Sequence, residues 1–335
     1  MQTNITAGLE NFISSVFATA RITRVEPIQS LWGGYGDLLR LYLTGCEHSC
    51  VILKHIRLPQ PADHPRGWRS DLSHKRKLRS YEVETYWYAH YAKLCPRWCP
   101  VPACLAVEKA DSHIYLLLSD LAQSGFGKTL QRVSASQLKA CLHWLAHFHA
   151  VFLQHRGEGL WQCGTYWHLD TRPDEWAALD DAPLQQAAGL IDAALKQCPY
   201  QTLVHGDAKL ANFCFANKAT AGASGVAAVD FQYVGRGCGM KDVVYFLGSC
   251  LSDTACLQQH AALLDDYFGT LVPALEKYQP RINGQDVERQ WRLLFDVAWA
   301  DFHRFLKGWS PGHWKLNHYS ETLTQRVVQR FLVGA

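Results

Sequence analysis

LVHGDAKLANFCF, residues 203–215, sets His205, Asp207, Lys209 and Asn212 into a stretch that otherwise reads as buried β-structure. Leu203, Val204, Phe213 and Phe215 ask for an apolar interior. Polar groups buried there without partners cost several kcal/mol, so a metal, a phosphate or a reacting hydroxyl is expected to meet them. Asp207 precedes Asn212 by five residues, and a second aspartate, Asp230, closes the strand-like run GVAAVDF. An asparagine on a short loop and an aspartate after the next strand offer the hard oxygen ligands that suit Mg²⁺. Asp207 is then free to face a hydroxyl.

Working outward, the chain has 335 residues, enough for two lobes. Its 48% hydrophobic and 19% charged residues are those of an ordinary globular protein. A formal net charge of +3, with no nucleic-acid module, argues against a polynucleotide partner. No run of about 18 apolar residues is present, so no membrane span is expected. The N-terminal MQTNITAGLENFISSVFATA lacks a basic start and is interrupted by Glu10, so it reads as a helix over 5–19 and not as a signal peptide. Twelve cysteines, scattered singly through apolar segments, suit reduced thiols in a cytoplasmic protein. CEHSC (Cys46, His48, Cys50) and CPRWCPVPAC (Cys95, Cys99, Cys104) lack the C-x2-C spacing of zinc knuckles and read as turns that contain cysteines.

Most of the strand signal lies in the first 120 residues. RVEPIQSL leads into WGGYGDLLRLYLTGCEHSCVILKHI, two β-like runs joined by a turn, and SHIYLLLSDL is a continuous apolar strand ending at Asp120. GGYG (Gly33, Gly34, Gly36) is either a loop covering phosphates or a hairpin turn. Lys54, inside the apolar VILKH, must reach a partner or snorkel outward. Glu84, in the helical EVETYWYAHY, is placed to pair with it, and Glu82 is the rival. The basic HKRKLRS (74–80) reads as a charged cap on that helix, with phosphate contact as the alternative. SASQLKACLHWLAHFHAVFLQH is a long helix with Ser134 as N-cap, 183–198 is another, and everything after 241 reads as helical.

HGDAKLAN with VDF resembles the phosphotransferases that share the protein-kinase fold, the aminoglycoside and choline kinases, whose catalytic loop is H-G-D-x-x-x-x-N followed by a metal-binding aspartate. It is most similar to the ecdysteroid-kinase-like branch, where DFQ (230–232) and DVVYFL (242–247) are typical, SDL (119–121) resembles the hinge, and WLAHFHA resembles a helix motif. The resemblance runs over roughly residues 25–250 and implies an α+β, two-lobed protein-kinase-like fold. A β-rich nucleotide-binding lobe would span 1–118, a hinge 119–125, and a helical lobe with catalytic loop and acceptor site 126–335.

It further implies an ATP- and Mg²⁺-dependent small-molecule kinase acting on a hydroxyl acceptor. Lys54, oriented by Glu84, would hold ATP phosphates beneath Gly33, Gly34 and Gly36. Backbone near Ser119 and Leu121 would bind adenine. Asn212 and Asp230 would hold Mg²⁺, Asp207 would take the acceptor proton, and Lys209 would reach the γ-phosphate. His205 and Asp242 would brace the loop. DFQ in place of DFG gives no ground for an activation-loop switch. For the acceptor, the aromatic stretches 161–176 and 296–316 are candidates, including a cage of Trp299, Asp301, Trp309 and Trp314 around an amine. Choline- or ethanolamine-type kinases, aminoglycoside kinases and a nucleotide-binding regulatory protein without turnover are the alternatives.

Overall fold

The computed structural model describes residues 7–58, 71–110, 112–218 and 224–334. Helix α1 (Ala7–Val16) buries Leu9, Phe12 and Ile13, one stripe at helical spacing. It is shorter than the expected 5–19, of which residues 5 and 6 lie outside the described part, because the chain turns at 17–20 to enter the first strand.

Strands β1 (Arg21–Ser30), β2 (Gly36–Thr44), β3 (Cys50–Arg57), β4 (Cys104–Ala110) and β5 (His113–Ser119) form one antiparallel sheet in the order β1-β2-β3-β5-β4. The two edge strands, β1 and β4, are those whose sequence carries the weakest apolar alternation. Their exposed positions hold Arg21, Thr23, Arg24, Glu108 and Lys109, the polar dress that edge strands use against unwanted pairing. Lys54 lies on the central strand β3, opposite Leu38 of β2 and Leu116 of β5.

Helix α2 (Asp71–His90) leaves the sheet between β3 and β4 and packs under it, burying Tyr81, Val83, Trp87 and Tyr88. HKRKLRS is therefore not a cap but a full part of this helix.

Beyond β5 the chain is mostly helical. α3 (Ala135–Val151) starts at the expected Ser134, which forms a capping box with Gln137. The short α4 (Pro173–Ala177) and α5 (Ala182–Lys196) follow. Four three-residue strands then form two ribbons: β6 (Thr202–Val204) pairs with β9 (Gly235–Gly237), and β7 (Phe213–Phe215) with β8 (Val226–Ala228). Helices α6 (Met240–Cys250), α7 (Asp253–Tyr278), α8 (Gly284–Trp309) and α9 (His318–Val333) complete the lobe. The segment 205–212 runs between the two ribbons, so rigid backbone grips both of its ends. No helix among the described residues is long and apolar enough to cross a membrane.

Candidate active site

His205, Gly206 and Asp207 follow β6 directly, and the turn is set by Gly206. Its φ is +80°, and a Cβ there would lie 2.1 Å from the carbonyl oxygen of Tyr233. Only glycine fits. The neighbouring N–H groups of His205 and Gly206 donate to the two oxygens of Asp242 on α6, at 2.6 and 2.9 Å. His149 on α3 completes the brace with a 3.1 Å bond to Asp242. The His205 ring is spent on backbone: Nε2–H donates to the Val229 carbonyl (3.0 Å), and Nδ1 accepts the Asp207 N–H (3.3 Å). Both residues hold the loop, and neither faces the cleft.

Asp207 is buried and reached from three sides. Lys209 Nζ (3.0 Å) and Asn212 Nδ2 (3.1 Å) donate to Oδ2, and the Tyr245 hydroxyl donates to Oδ1 at 3.0 Å. Burial raises its pKa above the ordinary carboxylate range, against the pull of Lys209. Tyr245 is a contact that the motif reading missed. It lies three residues after Asp242 on α6, one turn along the same face, which is the signal that finds it.

Across the cleft, Lys54 Nζ sits 2.7 and 2.9 Å from the two Glu84 oxygens and 3.3 Å from Asp230 Oδ1. Burial works to lower the Lys54 pKa, and Glu84 and Asp230 more than reverse this. Glu84, not Glu82, is the partner; Glu82 pairs with Arg79 at the surface. Asp230 has φ +69°, a left-handed conformation unusual for an aspartate. Gln232 fixes it there: its Nε2 donates to Asp230 Oδ1 (2.5 Å), while its Oε1 accepts from Lys77 (2.6 Å) and Ser80 (3.2 Å) of α2. The third residue of DFQ thus ties the aspartate to the upper-lobe helix. Phe231, between them, stacks on Trp87 with ring centroids 3.5 Å apart.

The chemistry of the donor set fits a hard divalent cation. Asn212 spends its amide nitrogen on Asp207, and Asp230 spends Oδ1 on Lys54 and Gln232. That leaves Asn212 Oδ1 and Asp230 Oδ2 as oxygen donors. Burial opposes ionisation of Asp230, but Lys54, Lys77 and Lys209 together hold its pKa well below the ordinary range.

Two cavities meet at Lys54 and Asp230. One, of about 290 Å³, runs beneath the sheet past Leu118, Ser119, Leu121, Ala122 and Phe126 to Asn212. It is mainly apolar and contains both hinge positions singled out in the sequence. Asp120 between them is held by Arg40 (2.8 Å) and by the Ala122 N–H (2.9 Å). The other, of about 570 Å³, opens beyond Asp207 and Lys209 and is walled by Tyr166, Tyr233, Tyr245, Phe305 and Trp309. On the strand side the wall is Gln29–Trp32, just ahead of the glycines. Gly36 itself serves the hairpin: at φ +130° its Cβ would meet the His55 carbonyl oxygen at 1.9 Å.

The amine cage does not assemble. Trp299 is buried in the helical core beside Gly248 and Tyr319. Asp301 is buried as well, bonded to Arg304 (2.7 Å) and Trp167 (3.1 Å). Of the four residues, only Trp309 lines the larger cavity. Lys77, which the sequence places in a charged cap, is by contrast a buried cleft residue, and burial and neighbouring Lys54 lower its pKa to about 8.

Comparison with solved structures bears on this arrangement. A choline kinase from Cryptosporidium parvum Iowa II superposes with a TM-score of 0.51 at 10% identity, over 91% of this chain and 88% of that one. The fold is protein-kinase-like. The GDP complex of aminoglycoside 2'-phosphotransferase-IIIa is 12% identical, with a TM-score of 0.49 over 96% of this chain and 97% of that one. An aminoglycoside phosphotransferase from Streptomyces rimosus, solved with ADP and streptomycin, is 14% identical, with a TM-score of 0.47 over 88% and 99%. No curated protein sequence matches significantly. The sequence model of the ecdysteroid kinase-like family matches residues 167–280, the part that carries HGDAKLAN, DFQ and DVVYFL. The resemblance read from those motifs holds there, and family match and fold together support a place among the kinase-like small-molecule phosphotransferases.

Proposed function

We propose that the chain is an ATP- and Mg²⁺-dependent small-molecule kinase that phosphorylates a hydroxyl. One observation carries the reading: Asp207, fixed by Lys209, Asn212 and Tyr245, faces a cavity that joins the hinge slot at Lys54 and Asp230. In this reading the nucleotide base lies in the slot beside Ser119 and Leu121. Lys54, oriented by Glu84, binds the phosphates, and Asn212 and Asp230 hold the metal. Bound Mg²⁺ supplies neutralisation of phosphate charge.

Asp207 orients the acceptor hydroxyl. As the acceptor oxygen bonds to phosphorus and the bond to the departing ADP oxygen breaks, Asp207 takes up the proton. Its raised pKa suits that late acceptance. Lys209 spreads its charge over the transferred group, the kind of stabilisation that is strongest in the transition state.

The test is ADP release from Mg-ATP with pooled hydroxyl acceptors, in wild type and Asp207→Asn. The variant is expected to lose roughly 10³-fold in acceptor-dependent rate while binding ATP as wild type does. Tight Mg-ATP binding with no turnover for any pool in wild type would instead favour the regulatory alternative.

A further inference from the structure

The larger cavity holds more positive charge than a transferred phosphate accounts for. It shares only Gln29, Lys54 and Asp230 with the hinge slot. Lys54 and Lys209 have carboxylate partners in Glu84, Asp230 and Asp207. Arg76, Lys77 and Arg172 line the larger cavity, and none of them lines the slot.

These three are short of direct ion pairs among the described residues. Arg76 makes no ion pair among the described residues; it donates to the Thr171 carbonyl (2.7 Å) and Ser73 Oγ (3.1 Å), which leaves guanidinium donors spare. Lys77 is only 9% exposed, and its one hydrogen-bond acceptor among the described residues is the neutral amide oxygen of Gln232. Arg172 has a single carboxylate, Glu175, at 2.9 Å. Nearby, Lys315 lies over the Tyr245 ring at 4.7 Å and makes no ion pair among the described residues. A buried ammonium with no direct carboxylate partner is costly, and two guanidinium groups of which only one has a carboxylate partner are poised to clamp an anion.

We infer that the acceptor is an anionic hydroxyl compound, whose carboxylate or phosphate is bound by Arg76 and Lys77 while its hydroxyl faces Asp207. The inference rests on the kinase reading and adds the substrate class. The same charges repel quaternary and protonated amines, and the aromatic wall of Tyr166, Phe305 and Trp309 receives the apolar remainder of the molecule.

The experiment uses matched acceptors with Mg-ATP: glycerol, glycerate and glycerol 3-phosphate; glucose, gluconate and glucose 6-phosphate; and choline. An anionic member is expected to raise ADP release about tenfold over its neutral parent, and the carboxylate and phosphate members tell the two anions apart. Arg76→Gln is expected to raise the KM for that acceptor about tenfold, while the KM for Mg-ATP moves less than about twofold. A neutral compound or choline as the better acceptor, or an unchanged acceptor KM in Arg76→Gln, overturns the inference.

Absence of turnover with every compound would count against the kinase reading. The anion site is then read by thermal shift with gluconate and glycerol 3-phosphate, comparing wild type with Arg76→Gln and Lys77→Gln. A rise in Tm on adding the anion that both variants lose, each read against its own anion-free Tm, supports the site. No rise in wild type overturns it.

Discussion

Asp242 does its work without touching the cleft. Its two oxygens take the N–H groups of His205 and Gly206, and His149 donates to one of them. Asp242→Ala would bury two backbone donors unmet, at roughly 1–3 kcal/mol each. We expect a loss of about 3 kcal/mol in urea unfolding, together with a lower kcat as the loop loses its brace. Lys209→Ala sets the contrast. Its ammonium is partly exposed and touches only the reacting end of the site, so kcat should fall at least about a hundredfold with little change in ATP affinity or stability. An unchanged kcat would remove Lys209 from the reaction. The polar residues of 205–212, with Asp230 and Lys54, were legible because their spacing answers a chemical demand. Tyr245, Gln232 and Lys77 were not. Each reaches the site through a contact between distant segments, and nothing local marks a lysine in HKRKLRS as the buried one.

Elements were legible in proportion to how one-sided their environment is. α3 and β5 are apolar along one face or throughout, and the sequence shows it. β1 and β4 are polar edges whose membership in the sheet depends on their neighbours, and so their pattern was faint. Helix α5 shows another interaction hidden from the sequence. Its Asp192 lies 3.4 Å from His168 Nε2, and Lys196 bonds to Asp192 at 2.7 Å and to Asp170 at 3.0 Å. Burial alone would lower the His168 pKa, but Asp192 reverses this and raises it to about 9. Asp192, raised by burial, is brought down to about 2 by His168 and Lys196. The histidine term is fully present below its ordinary value of about 6.5 and is lost as pH rises through 9. The aspartate term is present above about 4 and is lost as pH falls through 2. Their sum is therefore greatest between about pH 4 and 6.5. Asp192→Asn should cost about 2 kcal/mol in urea unfolding at pH 6 and distinctly less near pH 9.5, where only Lys196 still gains from the carboxylate. An equal cost at both pH values would show that His168 is not charged by this partner.

The two lobes are joined by far more than the hinge. Helix α2 belongs to the sheet by position, yet Arg76 donates to the Thr171 carbonyl, Arg79 to the Gly159 carbonyl and Lys77 to Gln232, and Tyr91 just past its end donates to the Glu158 carbonyl, all in the helical lobe. At the centre Trp87 stacks on Phe231, both fully buried. The aspartate of DFQ and the glutamate that orients Lys54 are thereby set by one shared piece of packing. A lobe joined by a flexible hinge alone would melt independently of its neighbour, whereas one whose central helix is embedded in the other lobe should melt with it. Calorimetry of the wild type should accordingly show a single transition. Trp87→Ala removes the stack and leaves a cavity, at about 3–5 kcal/mol, and that loss falls on the junction more than on either lobe. The variant should show two transitions, the helical lobe the more stable because its core is the larger and most of it lies away from the new cavity. Lys54 should also lose its alignment with Asp230, raising the KM for Mg-ATP. A single transition in Trp87→Ala, merely shifted to lower temperature, would show that the remaining contacts of α2 suffice to hold the lobes as one unit.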